Sequence, residues 1–142
     1  MGARILVVGS TMIDLVAYAD RLPEAGETLV GERFESGFGG KGANQAVMAA
    51  RVGVPVAMVN AVGDDAYGAS HIENFRAEGI DVSFMRSVPG SSGVAPIWVD
   101  GNGRNRIIII PGANERTDPA VAAEAVRAFA PTVVVGQFEI PQ

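Results

Sequence analysis

The sequence has no cysteine and a single histidine, His71. The first absence excludes disulfides and thiolate metal sites. The second leaves no Ser-His-Asp set and no ligand spacing for a zinc centre. His71 itself lies in a helical pattern and reads as a surface or half-buried histidine. Basic residues are also scarce: 11 Lys and Arg against 16 Asp and Glu give a net charge of -5. A nucleic-acid partner needs a basic face, so none is expected. Long apolar runs are missing as well. Ile5–Val8 and Ile107–Ile110 are too short for a signal peptide or a membrane span, so a soluble, cytoplasmic protein with no membrane partner is expected. There is no internal repeat, low-complexity tract or linker. What is present, 142 residues of which 48% are hydrophobic, suffices for one domain with a real core.

Glycine is plentiful, and it concentrates in Ser36-Gly37-Phe38-Gly39-Gly40-Lys41-Gly42-Ala43-Asn44-Gln45-Ala46. Each glycine costs about 0.5–1 kcal/mol inside a helix or strand, so the run reads as a loop that turns sharply or approaches a ligand closely. Ala43, Ala46, Val47 and Ala50 then fall at helical spacing. A glycine-rich loop opening a helix aims free amides and the positive end of the dipole at whatever lies above it. Lys41 and Asn44 stand in that mouth, which suits an oxygen-rich ligand, neutral or anionic. An exposed loop lysine is the plainer reading of Lys41.

In chain order, Ile5–Val8 reads as a strand buried on both faces of a parallel sheet, ended by Gly9-Ser10. Asp14 follows just past its end, where open α/β sheets bind ligands; a turn-capping aspartate is the alternative. Residues 16–18 and 28–34 read as two short strands around a polar turn, a half-exposed flap near the glycine run. A helix from Ala43 to about Arg51 stops at Gly53-Val54-Pro55, and Val56–Val62 is a second buried strand. Asp64 and Asp65 could hold magnesium but better fit the cap of a helix with Ile72 and Phe75 inward and Gly79 as its stop. Val82–Arg86 is a short strand. Residues 94–99 and 105–110 flank the hairpin turn Asp100-Gly101-Asn102-Gly103-Arg104, and apolar Ile107–Ile110 should be covered on both faces. Asp118-Pro119 opens a helix that buries Ala122, Ala125, Val126 and Phe129, and Thr132–Val135 is another buried strand. Strand and helix alternate as in a doubly wound α/β layer.

Gly37, Gly39 and Gly42 formally satisfy a dinucleotide fingerprint with Asp64 downstream, which would suit an NAD-dependent oxidoreductase. However, that fingerprint should follow the first buried strand directly, and here a polar hairpin intervenes. The Walker pattern fails: Glu35 stands where its first glycine belongs and Gly42 replaces the Ser or Thr.

Taken in order, several motifs resemble the ribokinase-like (phosphofructokinase-B type) sugar kinases. They are Gly9-Ser10 with Asp14, residues 23–28 (Pro-Glu-Ala-Gly-Glu-Thr), Gly39-Gly40-Lys41-Gly42-Ala43-Asn44-Gln45-Ala46, Val62-Gly63-Asp64-Asp65 with Gly68, Pro111-Gly112-Ala113-Asn114, and Gln137-Phe138-Glu139-Ile140-Pro141. The resemblance covers essentially residues 1–142 and is closest to ribokinase. It implies the N-terminal half of a three-layer α/β sandwich with a small protruding β-sheet lid, its strands at about 15–35 and 94–110, the nucleotide-binding half lying beyond. It implies a homodimer through that lid, which would cover Ile107–Ile110. It also implies that Asp14, Gly39, Gly40, Lys41, Asn44 and Glu139 bind the hydroxyls of a pentose or nucleoside-like sugar. Met12 stands where many ribokinases carry an asparagine that touches the sugar, which puts ribose itself in question. The family's catalytic base sits in a Gly-Ala-Gly-Asp run that this sequence lacks. ATP and Mg2+, with K+ as an optional addition, would therefore serve the complete protein and not bind these residues tightly. The 142 residues alone are expected to be inactive and to self-associate. A non-catalytic sugar- or nucleoside-binding module is the alternative.

Overall fold

A computed structural model describes residues 2–142. Its central sheet contains β1 (Ile5–Val8), β4 (Val56–Gly63), β5 (Met85–Val88) and β8 (Val133–Gly136), all parallel, in the order β5-β4-β1-β8. Successive residues of a strand face opposite sides, and the core divides accordingly. Val7, Met58 and Val62 pack with Ala43, Ala46 and Phe75 under α1 (Lys41–Arg51) and α2 (Ala66–Ala77). Leu6, Ala57 and Val59 pack with Ala125 and Phe129 under α3 (Pro119–Phe129). The result is three layers, helix on sheet on helix. All eight residues of β4 are buried, as an interior parallel strand requires.

The second sheet has the order β3-β2-β6-β7, from β2 (Met12–Tyr18), β3 (Arg33–Gly39), β6 (Val94–Val99) and β7 (Asn105–Ile107). The strands differ from the sequence reading in informative ways. β2 begins only four residues after β1 ends and includes Asp14, which sits inside a strand rather than beyond one. β3 lies about five residues later than residues 28–34, and it absorbs Gly37 and Gly39, so only the end of the glycine run is a loop. Strand alternation cannot be read from glycines, which have no side chain to alternate. β5 starts at Met85 because Asp81 accepts the Ser83 amide at 2.9 Å and turns the chain before it. β7 is three residues long, the strand resuming only where Val94 and Ile110 exchange backbone hydrogen bonds of 3.0 and 2.9 Å.

Helix termini follow local chemistry. Asp65 caps α2 by accepting the Gly68 amide at 2.8 Å, and Gly79 leaves the helix at φ 74°. Asp118 accepts the Ala120 amide at 2.7 Å with Pro119 in the first turn of α3. The outer surfaces depart from expectation. Ile107–Ile110 are 44–55% exposed, and Val133 and Val134 of the edge strand β8 are about half exposed. Val126 lies outward, because α3 meets the sheet through Ala125 and Phe129.

His71 is also different from its sequence reading. It is fully buried, 5.2 Å from the Phe38 ring of β3 and 6.1 Å from Phe75, and neither ring nitrogen forms a hydrogen bond of good geometry. Burial pushes its pKa down to about 4, against smaller upward contributions from the Met12 backbone and Asp65. The unfolded chain therefore takes up a proton below pH 6.5 that the folded chain refuses. Stability from this residue is complete above pH 6.5 and should fall by about 3 kcal/mol as the pH drops to 4. Denaturant melts of the protein and of His71→Leu at each pH check this: the unsubstituted protein should lose about 3 kcal/mol relative to His71→Leu as the pH falls from 6.5 to 4.

Candidate functional site

The site forms at the carboxyl ends of β1 and β8, where open α/β sheets hold ligands. Its frame is a backbone approach closer than any side chain permits. A Cβ on Gly42 would lie 2.6 Å from the Gly9 carbonyl carbon and from the Ser10 nitrogen; one on Gly9 would lie 2.8 Å from Gly42 Cα. Gly40 adopts φ 93°, and its own Cβ would strike the backbone of residues 10–12. This contact lets the Ala43 amide donate to the Ser10 carbonyl at 2.9 Å, fixing the first turn of α1 against the end of β1.

The N-terminus of α1 already has an anion. Glu139, three residues after β8, accepts the Lys41 amide at 3.0 Å and the Ser10 hydroxyl at 2.6 Å, and its carboxylate pairs with Lys41 Nζ. Burial pushes the Glu139 carboxyl up, but the hydrogen bonds from Lys41 and Ser10 outweigh that and hold it below the usual range. Asp14 contrasts with it. It projects from β2 over Gly39, where any Cβ would overlap the carboxylate. Among the described residues nothing hydrogen-bonds it, and burial, then the charge of Glu139, raises its pKa. An unpaired, partly buried carboxylate beside a braced one is an acceptor surface for hydroxyl groups.

The structure thus brings together five of the six residues singled out: Asp14, Gly39, Gly40, Lys41 and Glu139. Asn44 lies one turn further along α1, exposed, beside a hollow it shares with Phe38, Val47 and Asn74. Ser10 and Gln137 were not singled out. Ser10 joins Gly42 to Glu139, and Gln137 Oε1 accepts the Glu139 amide. Both lie in motifs already quoted, but only tertiary contact reveals what they hold. The dinucleotide reading fails on geometry: Gly37 pairs with Asp14 in the second sheet instead of following β1. Asp65 is a cap, and its other oxygen accepts the Ser92 amide at 2.8 Å. Among the described residues no group of three or more His, Cys, Asp or Glu could hold a metal, and no helix is long and apolar enough to cross a membrane.

A parallel sheet flanked by helices, with a second sheet delivering a carboxylate to a glycine-lined site, defines a three-layer α/β architecture with a ligand site at the junction of its two sheets. The pattern of the pfkB family carbohydrate kinases matches residues 3–136, and the chain belongs to that family. It is 47% identical over 116 residues to a deoxyribokinase of Salmonella typhi, covering 81% of this chain and 38% of the relative. It is 44% identical over 140 residues to the ribokinase of Bacillus subtilis, covering 97% and 47%. The solved structure of Arabidopsis thaliana ribokinase complexed with ribose and ATP superimposes with a TM-score of 0.86 at 34% identity, covering 99% of this chain and 47% of that one. The three-layer ribokinase-like fold expected from the motifs is therefore correct in partial form. The chain spans less than half the length of these relatives.

Two substitutions test the site's construction. Gly42→Ala should destabilise the chain by about 1–3 kcal/mol through backbone overlap, read from chemical denaturation. Asp14→Asn should act oppositely. A raised carboxyl pKa means the folded chain loses stability as the pH rises through that titration, so at neutral pH the neutral amide should raise the melting temperature.

Proposed function

We propose that this chain is the sugar-binding part of an ATP-dependent pentose kinase. The observation that carries this is the free, partly buried Asp14 carboxylate facing the Ser10–Glu139–Lys41 cluster across bare glycine backbone. In this reading Asp14 and Glu139 accept hydrogen bonds from sugar hydroxyls, Lys41 and Asn44 donate to sugar oxygens, and Gly39 and Gly40 let the ring rest on the main chain. Holding the acceptor hydroxyl in place is this chain's share of the chemistry; transfer depends on positioning and on charge stabilisation of the γ-phosphate. ATP and Mg2+ do not fit the residues present. The helix N-terminus that could take a phosphate is filled by Glu139, whose charge would repel one. The Gly-Ala-Gly-Asp run with the family's base is also absent from the sequence. ATP, Mg2+ and any K+ therefore belong to other parts of the complete protein, and these 142 residues transfer no phosphoryl group by themselves. A second copy of the chain covers exposed Ile107–Ile110, giving a homodimer through the second sheet.

The nature of residue 12 selects among pentoses. Met12 is 3% exposed, lies on the same strand face as Asp14 and pairs with Gly39. Its thioether offers a hydroxyl no strong partner, so a pentose lacking a hydroxyl there loses least, and 2-deoxyribose is favoured over ribose. The similarity to both deoxyribokinase and ribokinase supports a choice between these two sugars.

Calorimetry with each pentose in the absence of ATP is the test. 2-Deoxyribose should bind at least as tightly as ribose. Asp14→Asn should weaken both by about 10–100-fold, the worth of hydrogen bonds to a charged group. Met12→Asn should shift the preference toward ribose by about tenfold. No heat with either sugar would overturn the reading, as would pentose phosphorylation by the purified chain given ATP and Mg2+.

A further inference from the structure

Between the two sheets lies a buried cluster of polar side chains that makes no hydrogen bond to Asp14, Lys41 or Glu139. Asn60 stands in the middle of β4, a strand otherwise made of apolar residues and glycine, and is 2% exposed; Thr11 and Asn114 are completely buried. Buried polar groups of this kind persist only when hydrogen-bonded. Here the bonds converge on the junction Gly9–Thr11, the stretch by which the chain leaves the central sheet for the second one.

Asn114 follows Gly112-Ala113 in a short 3-10 turn, Gly112–Arg116. Its carboxamide is set alongside Thr11 like a piece of neighbouring strand. Thr11 N donates to Asn114 Oδ1 at 2.9 Å, and Asn114 Nδ2 donates back to the Thr11 carbonyl at 2.8 Å. The remaining capacity is also used: Oδ1 accepts from Asn60 Nδ2 at 3.0 Å, and Nδ2 donates to the Pro111 carbonyl at 2.8 Å. Asn60 in turn donates to the Gly9 carbonyl at 2.7 Å and accepts the Thr11 hydroxyl at 2.9 Å. The backbone carbonyls of Gly9 and Thr11 and the amide of Thr11 are thus all held by side chains. The turn that presents Asn114 is seated by the Ala113 amide on the Ser91 carbonyl at 2.9 Å, with Gly112 at φ 55° pressed against residues 91 and 92.

The chemistry demanded at position 114 is narrow. Two acceptor positions and two donors must leave one planar group at this reach. An ionised aspartate has no donor, serine has one, and glutamine is a methylene too long. The residues pinned by this group flank those of the site. Ser10, which holds Glu139, lies between Gly9 and Thr11; Met12 and Asp14 follow directly, and Met12 Sδ rests 3.8 Å from Asn114 Nδ2.

We propose that Asn114 is a positioning residue: its side-chain amide fixes the angle at which the second sheet leaves the first, and so sets where Asp14 and Met12 stand relative to Ser10 and Glu139. Its relevance to affinity depends on the sugar-site reading above; its effect on the site's geometry does not.

The experiment follows the Asp14 carboxyl by carbon-detected NMR titration in the unsubstituted chain, in Asn114→Ala and in Thr11→Val, with pentose calorimetry on the same samples. Thr11→Val removes the hydroxyl bond to Asn60 but leaves both backbone bonds to Asn114, so it reproduces a damaged seam without a lost clamp. Asp14 should titrate above 3.8 in the unsubstituted chain and in Thr11→Val, and move back toward 3.8 in Asn114→Ala as the carboxylate gains water and distance from Glu139. Pentose affinity should fall about tenfold in Asn114→Ala alone. An Asp14 titration unchanged by Asn114→Ala in a folded chain overturns the proposal. If the unsubstituted chain binds no pentose while the titration still shifts, the sugar reading falls and the positioning role stands. Should Asn114→Ala not fold, hydrogen exchange of the Asn114 side-chain amide in the unsubstituted chain decides: protection comparable to the β1 backbone supports the clamp, and exchange as fast as at exposed Asn102 overturns it.

Discussion

The constraint on which the rest depends is the absence of side chains at Gly9 and Gly42. Their backbones meet where no Cβ fits, and the first turn of α1 therefore lies directly on the exit of β1. Everything in the site is measured from that contact. It brings the Lys41 amide to the place where Glu139 arrives from β8, and it puts the Ser10 hydroxyl between them. A larger residue at either position would push α1 outward and separate the helix from its anion.

The central layers were legible because their signal is compositional. Ile5–Val8, Val56–Val62 and the caps at Asp65, Gly79 and Asp118 follow from apolar runs and from turn and cap chemistry, which act over a few residues. The second sheet was harder. Its strands are half exposed and contain glycine, so neither alternation nor propensity marked their ends, and β3 was placed about five residues early. The exposure of Val133, Val134 and Ile107–Ile110 was invisible for another reason. Apolar sequence alone does not distinguish a strand face that packs within the chain from one that lies open.

Most residues of the cluster were legible in the sequence, but not the contacts that join them. Glycine, Lys41 and a helix start suggested free amides waiting for a ligand, whereas the Lys41 amide is already satisfied by the chain's own carboxylate. No local pattern reveals that, because Ser10 and Glu139 are 129 residues apart. Asp14 shows the converse. Its sequence position left a turn cap as the alternative, and its place inside β2 with no hydrogen-bond partner among the described residues speaks against a cap. Asn60 carried the clearest unread signal: a carboxamide in a wholly buried strand needs partners somewhere in the fold.

The position of β8 has a thermodynamic corollary. It pairs with β1 on one side only, and its valines are half exposed, the features of segments that open locally at low free energy. Opening there removes Glu139 while β4, α1 and α2 remain packed, leaving the helix N-terminus bare. A ligand that touches Glu139 can bind only the closed form and must strengthen the edge in proportion to its own concentration. Occupancy at one end of the sheet and fraying at its margin would then be a single equilibrium, and slowed amide exchange along residues 133–136 would report any ligand that touches Glu139.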